Sequence, residues 1–190
     1  MNAIAQTSEG RIWVGGYDGL LSYDGVEFES QDIPKEINSI SVLLVDENDG
    51  LWIGTNDHGL YHYNPADGEV TPYEINDGTA YEYIHSIIKD SQGTLYVGTG
   101  NEVHCIFADG TTKCLGRENG ISSPESLKCD EKTGTVYGVT NGGVLFAIRD
   151  GELIFTRGYE EADDDAFAAV AVIADGLLIG TTKDDMFTAA

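Results

Sequence analysis

Residues 50–60 read Gly-Leu-Trp-Ile-Gly-Thr-Asn-Asp-His-Gly-Leu. Only two tryptophans occur in the 190 residues, and one of them sits here between Leu51 and Ile53. A single stretch of this kind would be a strand and a turn. The same phrase recurs, and the recurrence decides the reading.

Residues 10–20 read Gly-Arg-Ile-Trp-Val-Gly-Gly-Tyr-Asp-Gly-Leu, 93–99 Gly-Thr-Leu-Tyr-Val-Gly-Thr, and 176–182 Gly-Leu-Leu-Ile-Gly-Thr-Thr. A variant copy, Gly-Thr-Val-Tyr-Gly-Val-Thr, occupies 134–140, with Gly138 and Val139 exchanged relative to Val97 and Gly98. The anchors Trp13, Trp52, Tyr96, Tyr137 and Leu178 are spaced by 39, 44, 41 and 41 residues. A period of about 40 to 45 residues marks an array of supersecondary units.

The flanks repeat as well. Apolar runs precede the anchors at Ala3–Ala5, Ile40–Val45, Tyr83–Ile88 and Ala169–Ile173, with a weaker one at Pro124–Cys129. A second run follows at Leu20–Tyr23, Leu60–Tyr63, Val103–Phe107 and Val144–Ile148, and a third at Val26–Phe28, Val70–Ile75, Thr112–Leu115 and Leu153–Thr156. Each is short, rich in β-branched and aromatic residues, and bounded by Gly, Asp or Asn, which signals strands. Four strands per copy is the arithmetic of a propeller blade. Asp24-Gly25, Asp109-Gly110 and Asp150-Gly151 join third to fourth strands and suit type I′ hairpin turns. Nearly continuous runs such as Ile40–Val45 fit sheets covered on both faces.

The expected fold is therefore all-β: a β-propeller of four-stranded antiparallel blades. Four complete blades are expected at about 2–31, 37–75, 80–116 and 122–157, and a three-stranded fifth at 166–190. The Trp and Tyr anchors fill space between blades, and the following Gly permits close backbone approach. An unclosed ring leaves sheet edges exposed, so the chain is expected to be part of a larger propeller, with self-association through the open edges as the partner expectation.

Composition narrows the function. Thirty-three acidic against ten basic residues give a formal charge of −23. Phosphate recognition needs a basic surface, so no nucleic-acid partner is expected, nor an anionic membrane face. Acidity of this order keeps a β-rich protein soluble. No stretch approaches the roughly 18 apolar residues of a membrane span, and the start shows no signal-peptide pattern. A two-residue hairpin at Asp109-Gly110 would set Cys105 opposite Cys114, with Cα atoms about 4.5 Å apart, near the lower limit for a disulfide. The alternatives are two reduced thiols between blades, or a bulged turn that removes the pairing.

The phrases Asp46-x-x-Asp49-Gly50-Leu51-Trp52-Ile53-Gly54-Thr55, then Gly59-Leu60-x-x-Tyr63, and Glu118-Asn119-Gly120-Ile121-Ser122-Ser123 resemble the two-component-regulator propeller repeat of bacterial sensor proteins. The resemblance runs through the whole chain. It implies an extracytoplasmic propeller in a signalling receptor, commonly a hybrid histidine kinase, whose ligands are commonly glycans.

Loops joining second to third strands, and blade to blade, share one face of a propeller. Such loops on a rigid scaffold are where binding residues concentrate. The candidate ligand-binding residues are the aromatic Tyr17, Tyr81 and Tyr83, on which a sugar ring could stack. With them stand Asn56, Asp57, His58, Asn101, Glu118 and Asn119, which could take its hydroxyls. The competing reading is that Asn, Asp and Gly only make turns. The run Glu160–Asp165 is acidic but lacks EF-hand spacing and reads as a solvated loop. No catalytic motif, metal site or cofactor is expected: His58, His62, His85 and His104 show no zinc spacing. The expectation is a non-enzymatic ligand-sensing module. Its alternatives are a protein-interaction scaffold, or a propeller lyase acting through His85 or His58.

Overall fold

The computed structural model describes residues 2–74, 83–159, 166–183 and 186–189. They form five sheets, four with four strands and one with three, each in simple sequential order. The first blade holds β1 (Ala3–Gln6), β2 (Ile12–Gly16), β3 (Gly19–Tyr23) and β4 (Phe28–Ser30). The second holds β5 (Ile40–Val45), β6 (Leu51–Thr55), β7 (Leu60–Asn64) and β8 (Glu69–Tyr73). The third holds β9 (Ile84–Lys89), β10 (Leu95–Thr99), β11 (Val103–Ile106) and β12 (Thr112–Leu115). The fourth holds β13 (Pro124–Asp130), β14 (Thr135–Thr140), β15 (Val144–Arg149) and β16 (Glu152–Gly158). The fifth holds β17 (Phe167–Ile173), β18 (Gly176–Thr181) and β19 (Met186–Ala189). The architecture is that of a β-propeller built from four-stranded antiparallel blades. Among the described residues, no helix is long and apolar enough to cross a membrane.

The chain divides into two compact units, Met1–Ile87 and Ile88–Ala190. In the first, Trp13 and Leu20 of one blade pack with Ile40, Leu43, Ile53 and Tyr63 of the next. Trp13 meets the Tyr63 ring edge-on, with centroids 5.6 Å apart. In the second unit, Tyr96, Val103 and Cys105 pack with Leu127, Val136 and Phe146, while Val139 and Leu145 pack with Phe167, Val170 and Ile179. The anchors Trp13 and Tyr96 do fill the space between blades.

The glycine after the anchor makes room for the following blade's first strand. A Cβ at Gly15 would lie 2.5 Å from Ile40 Cγ2, and one at Gly54 2.6 Å from Ile84 Cγ2. The exchanged pair in the fourth copy has a different purpose. A Cβ at Gly138 would lie 2.1 Å from Cζ of Phe146, which is wholly buried. Gly138 thus yields its volume to an aromatic ring on the neighbouring strand of its own blade.

The innermost strands are not evenly covered. β5 and β9 bury every third residue, Ile40 with Leu43 and Ile84 with Ile87. In β5 a register shift after Ile40 accompanies this pattern, and the same shift recurs after Pro124 and Phe167. Such a bulge re-aims the side chains that follow it.

The three Asp-Gly pairs behave differently from one another. Only Asp150-Gly151 forms the two-residue turn: both residues have positive φ, 52° and 70°, and Arg149 pairs with Glu152. At Asp24-Gly25 the Asp24 carboxylate accepts the Val26 and Glu27 amides at 2.8 and 3.0 Å. Val26 is drawn into the turn, and the fourth strand begins at Phe28. At Asp109-Gly110 the Phe107 amide donates to Thr111 and the Gly110 amide to Phe107, so the loop holds an extra residue. Cys105 therefore pairs with Lys113, and His104 pairs with Cys114. The expected facing of Cys105 and Cys114 is overturned by this bulged turn. They lie on opposite faces of the sheet, and all three cysteines are free thiols.

Candidate functional site

The second-to-third-strand loops lie beside inter-blade linkers, and hydrogen bonds, main-chain ones except at the third blade, lock the two together. In the first unit the Gly19 amide donates to Asn38 and the Asn56 amide to Ser39, at 3.0 and 2.9 Å. The linker is held by the loop of the blade before it and by that of the blade after it. In the second unit Ser123 Oγ donates to the Gly100 carbonyl at 3.1 Å, and the Asn141 amide donates to Ser123 at 3.0 Å. At the next junction the Tyr159 amide donates to Gly143 and the Thr182 amide to Ala166, both at 3.0 Å.

In the second, third and fourth blades a threonine at the end of the second strand closes the loop from inside. Thr55, Thr99 and Thr140 are buried. Thr55 Oγ1 accepts the His58 amide at 2.9 Å and donates to the Gly59 carbonyl at 2.9 Å. Thr99 Oγ1 accepts the Glu102 amide at 3.2 Å, and Thr140 Oγ1 accepts the Val144 amide at 3.1 Å. These hydroxyls satisfy backbone groups that the loops partly or wholly bury.

On this frame the candidate residues separate by role. Tyr17 stands at the tip of the first loop with 72% of its surface exposed. Asp57 and His58 form an adjacent pair, Oδ1 to Nδ1 2.8 Å, on an accessible loop. Tyr83 is exposed and its ring lies 4.0 Å from that of His85. All four belong to the first unit. Asn56 is different: its side-chain amide donates to Ser39 Oγ at 2.7 Å, so it braces the linker. Tyr81 lies outside the described residues, as does the acidic run 160–165.

In the second unit, Asn101 is exposed at the Thr99 loop. Glu118 and Asn119 form the short 3-10 turn Arg117–Asn119. Asn119 Oδ1 accepts the Gly116 amide at 3.1 Å, which caps the turn before Gly120 takes up φ 80°. Asn119 is a turn residue, whereas Glu118 presents its carboxylate beside Gly116, where a Cβ would lie 3.4 Å from Oε2.

Sequence reasoning passed over an aspartate at the turn between first and second strands. Asp46 accepts the Asn48 and Gly50 amides at 2.7 and 2.9 Å, and His62 Nε2 at 2.7 Å. Burial works to raise its pKa, but His62 and the two amides outweigh that and hold the carboxyl below the usual range. Asp90 accepts the Gln92 and Thr94 amides, both at 2.9 Å, and the Tyr96 hydroxyl at 3.1 Å. Desolvation, with Asp90 alongside, pushes the Tyr96 phenol well above its ordinary value. Asp130 accepts the Lys132 amide and the Thr133 hydroxyl. The signal available was an aspartate six or seven residues ahead of Trp52, Tyr96 and Tyr137.

Residues 36–57 and 80–101 match the family model described as two component regulator propeller. Two of the blades carry two-component regulator propeller repeats. Among curated proteins, none matches the chain significantly. Solved structures similar to this chain include the extracellular domain of a hybrid two-component system from B. thetaiotaomicron. That match has 16% identity and a TM-score of 0.75, over 100% of this chain and 28% of the other. The extracellular domain of a one-component system from the same organism matches at 21% identity and a TM-score of 0.66, over 100% of this chain and 32% of the other. Virginiamycin B lyase from Staphylococcus aureus matches at 13% identity and a TM-score of 0.76, over 99% of this chain and 69% of the other. These likenesses show the fold. The chain spans about a quarter to a third of the two receptor domains.

Proposed function

We propose that this chain is a ligand-sensing propeller segment of a bacterial signalling receptor, working outside the cytoplasm, with an oligosaccharide as its ligand class. The match to the regulator propeller repeat carries the receptor part of the reading. The ligand class rests on the loop tips of the first unit. There, exposed Tyr17 and Tyr83 offer ring faces, and the Asp57–His58 pair offers hydrogen-bonding groups. A sugar presents C–H bonds to such rings and hydroxyls to such polar groups. Signalling follows if the sugar binds one state of the receptor better than the other, since a ligand with equal affinity for both shifts nothing.

Titration of the chain with a panel of oligosaccharides, read by thermal shift and calorimetry, tests the reading. At least one member should bind, and Tyr17→Ala should weaken that binding at least tenfold with an unchanged melting temperature. A panel without a binder, or a Tyr17→Ala protein that binds as before, refutes the assignment. The exposed imidazole–carboxylate pair favours one second reading, an enzyme acting through His58. Turnover of any macrocyclic or glycosidic substrate that disappears in His58→Ala would replace sensing by catalysis.

A further inference from the structure

The bulged turn at Asp109-Gly110 has a chemical result. By pairing His104 with Cys114 it gathers Glu102, His104 and Cys114 on one face of two neighbouring strands. His104 Nδ1 lies 3.2 Å from Cys114 Sγ, and His104 Nε2 lies 3.2 Å from Glu102 Oε1. An ionised carboxylate can only accept, so Glu102 holds the proton of His104 on Nε2. Nδ1 is then left as an acceptor facing the thiol. A nucleophile within hydrogen-bond reach of a base, and a base oriented by a third group, is the arrangement that activates a weak nucleophile.

The surroundings fit this arrangement. His104 is 2% exposed, so its ring is held in place, while Cys114 is only half-buried and open to small reagents. Gly116, just past the Val103–Leu115 pair, leaves room for the carboxylate: a Cβ there would lie 3.0 Å from Glu102 Oε2. Burial pushes Cys105 up to about 12 and also raises Cys129. The three ligand-type atoms of the cluster also lie within 4.8 Å of one another, as a cation would require. However, the thiol and the carboxylate engage opposite ring nitrogens, and a metal takes only one. That geometry belongs to a proton relay.

We propose that Cys114 is a nucleophilic thiol site, with His104 as its base and Glu102 as the residue positioning His104, and that it forms mixed disulfides with small disulfide compounds. The Sγ–H proton passes to His104 Nδ1. The thiolate attacks one sulfur of the small disulfide, the S–S bond breaks, and the departing thiolate takes up the proton from His104. One thiol and one disulfide enter, and one thiol and one mixed disulfide leave.

The test uses the whole chain with excess dithiodipyridine, the modified cysteines being located by mass spectrometry over time. Cys114 should be modified before Cys129 and Cys105, and Cys114→Ser should remove the fast phase. Glu102→Gln and His104→Gln should each slow modification of Cys114 by about tenfold or more, at the low end of or below what a positioned base contributes to catalysis. The rate at Cys129 and the melting temperature should stay the same. If buried His104 does not tolerate glutamine, the more exposed Glu102→Gln decides alone. Equal rates at Cys114 and Cys129, or an unchanged Cys114 rate in a folded Glu102→Gln protein, overturn the proposal. Protection of Cys114 by Zn²⁺, lost in both variants, also overturns it by assigning the cluster to an ion.

Discussion

Replacing Asp90 by alanine should destabilise the second unit by about 4 kcal/mol. The carboxylate accepts three hydrogen bonds, and their donors differ in what remains to them. The Gln92 amide is near the surface and returns to water. The Thr94 amide and the Tyr96 hydroxyl belong to buried residues, 5% and 0% exposed. Each orphaned buried donor costs about 1–3 kcal/mol, so two of them set the magnitude. The Tyr96 hydroxyl keeps its hydrogen bond with the Gly151 backbone, but its own proton has nowhere to go. A double-mutant cycle isolates this contribution. Tyr96→Phe should cost less stability beside Asp90→Ala than in the parent, a coupling of about 1–3 kcal/mol. Urea denaturation followed by circular dichroism and tyrosine fluorescence reads all four proteins. An Asp90→Ala cost below 1 kcal/mol, or two additive single variants, would show that the turn aspartate does not hold the anchor and would refute the reasoning.

Gly138→Val should destabilise by about 1–3 kcal/mol or more through overpacking against Phe146, and thermal melts should show Phe146→Leu in the same chain recovering part of the loss. Asp46 titrates below the usual carboxylate range in the folded chain. The stability it supplies is therefore complete above the ordinary carboxylate value and is lost as pH falls through the lower folded value. Urea midpoints taken from neutral pH to about pH 3 should fall less steeply for Asp46→Asn than for the parent. Thr55→Val keeps the shape but strands the His58 amide, while the Gly59 carbonyl still accepts the main-chain amide of residue 55. It should cost about 1–2 kcal/mol, with faster amide exchange at His58 by nuclear magnetic resonance.

Much of the fold was legible because a repeat is read five times. An error at Gly138-Val139 in one copy could not obscure Trp13, Trp52 and Tyr96 in the others. The turns were harder, since Asp-Gly is compatible with several loop lengths. Only the hydrogen bonds around Asp24 and Phe107 decide how many residues each loop holds. One residue more at Asp109-Gly110 changed the partner of Cys114 from Cys105 to His104. No reading of the strands one at a time can supply that. Side-chain roles were least legible. Asn56 and Asn119 share their composition with ligand-binding residues, and only the positions of Ser39 and Gly116 show that they brace turns. What was recoverable for Tyr17 was its exposure, since a loop tip leaves a side chain little to pack on.

The locking of loops onto linkers through main-chain atoms separates the tips from the folding problem. Gly19 and Asn56 hold their linker by amide groups that every residue except proline carries. Residue identity at positions 17, 57 and 58 can thus drift, or be randomised in a library, at little expense to the scaffold. A lineage of such repeats could acquire new specificities by point substitution alone, with the sheets beneath carried forward unaltered.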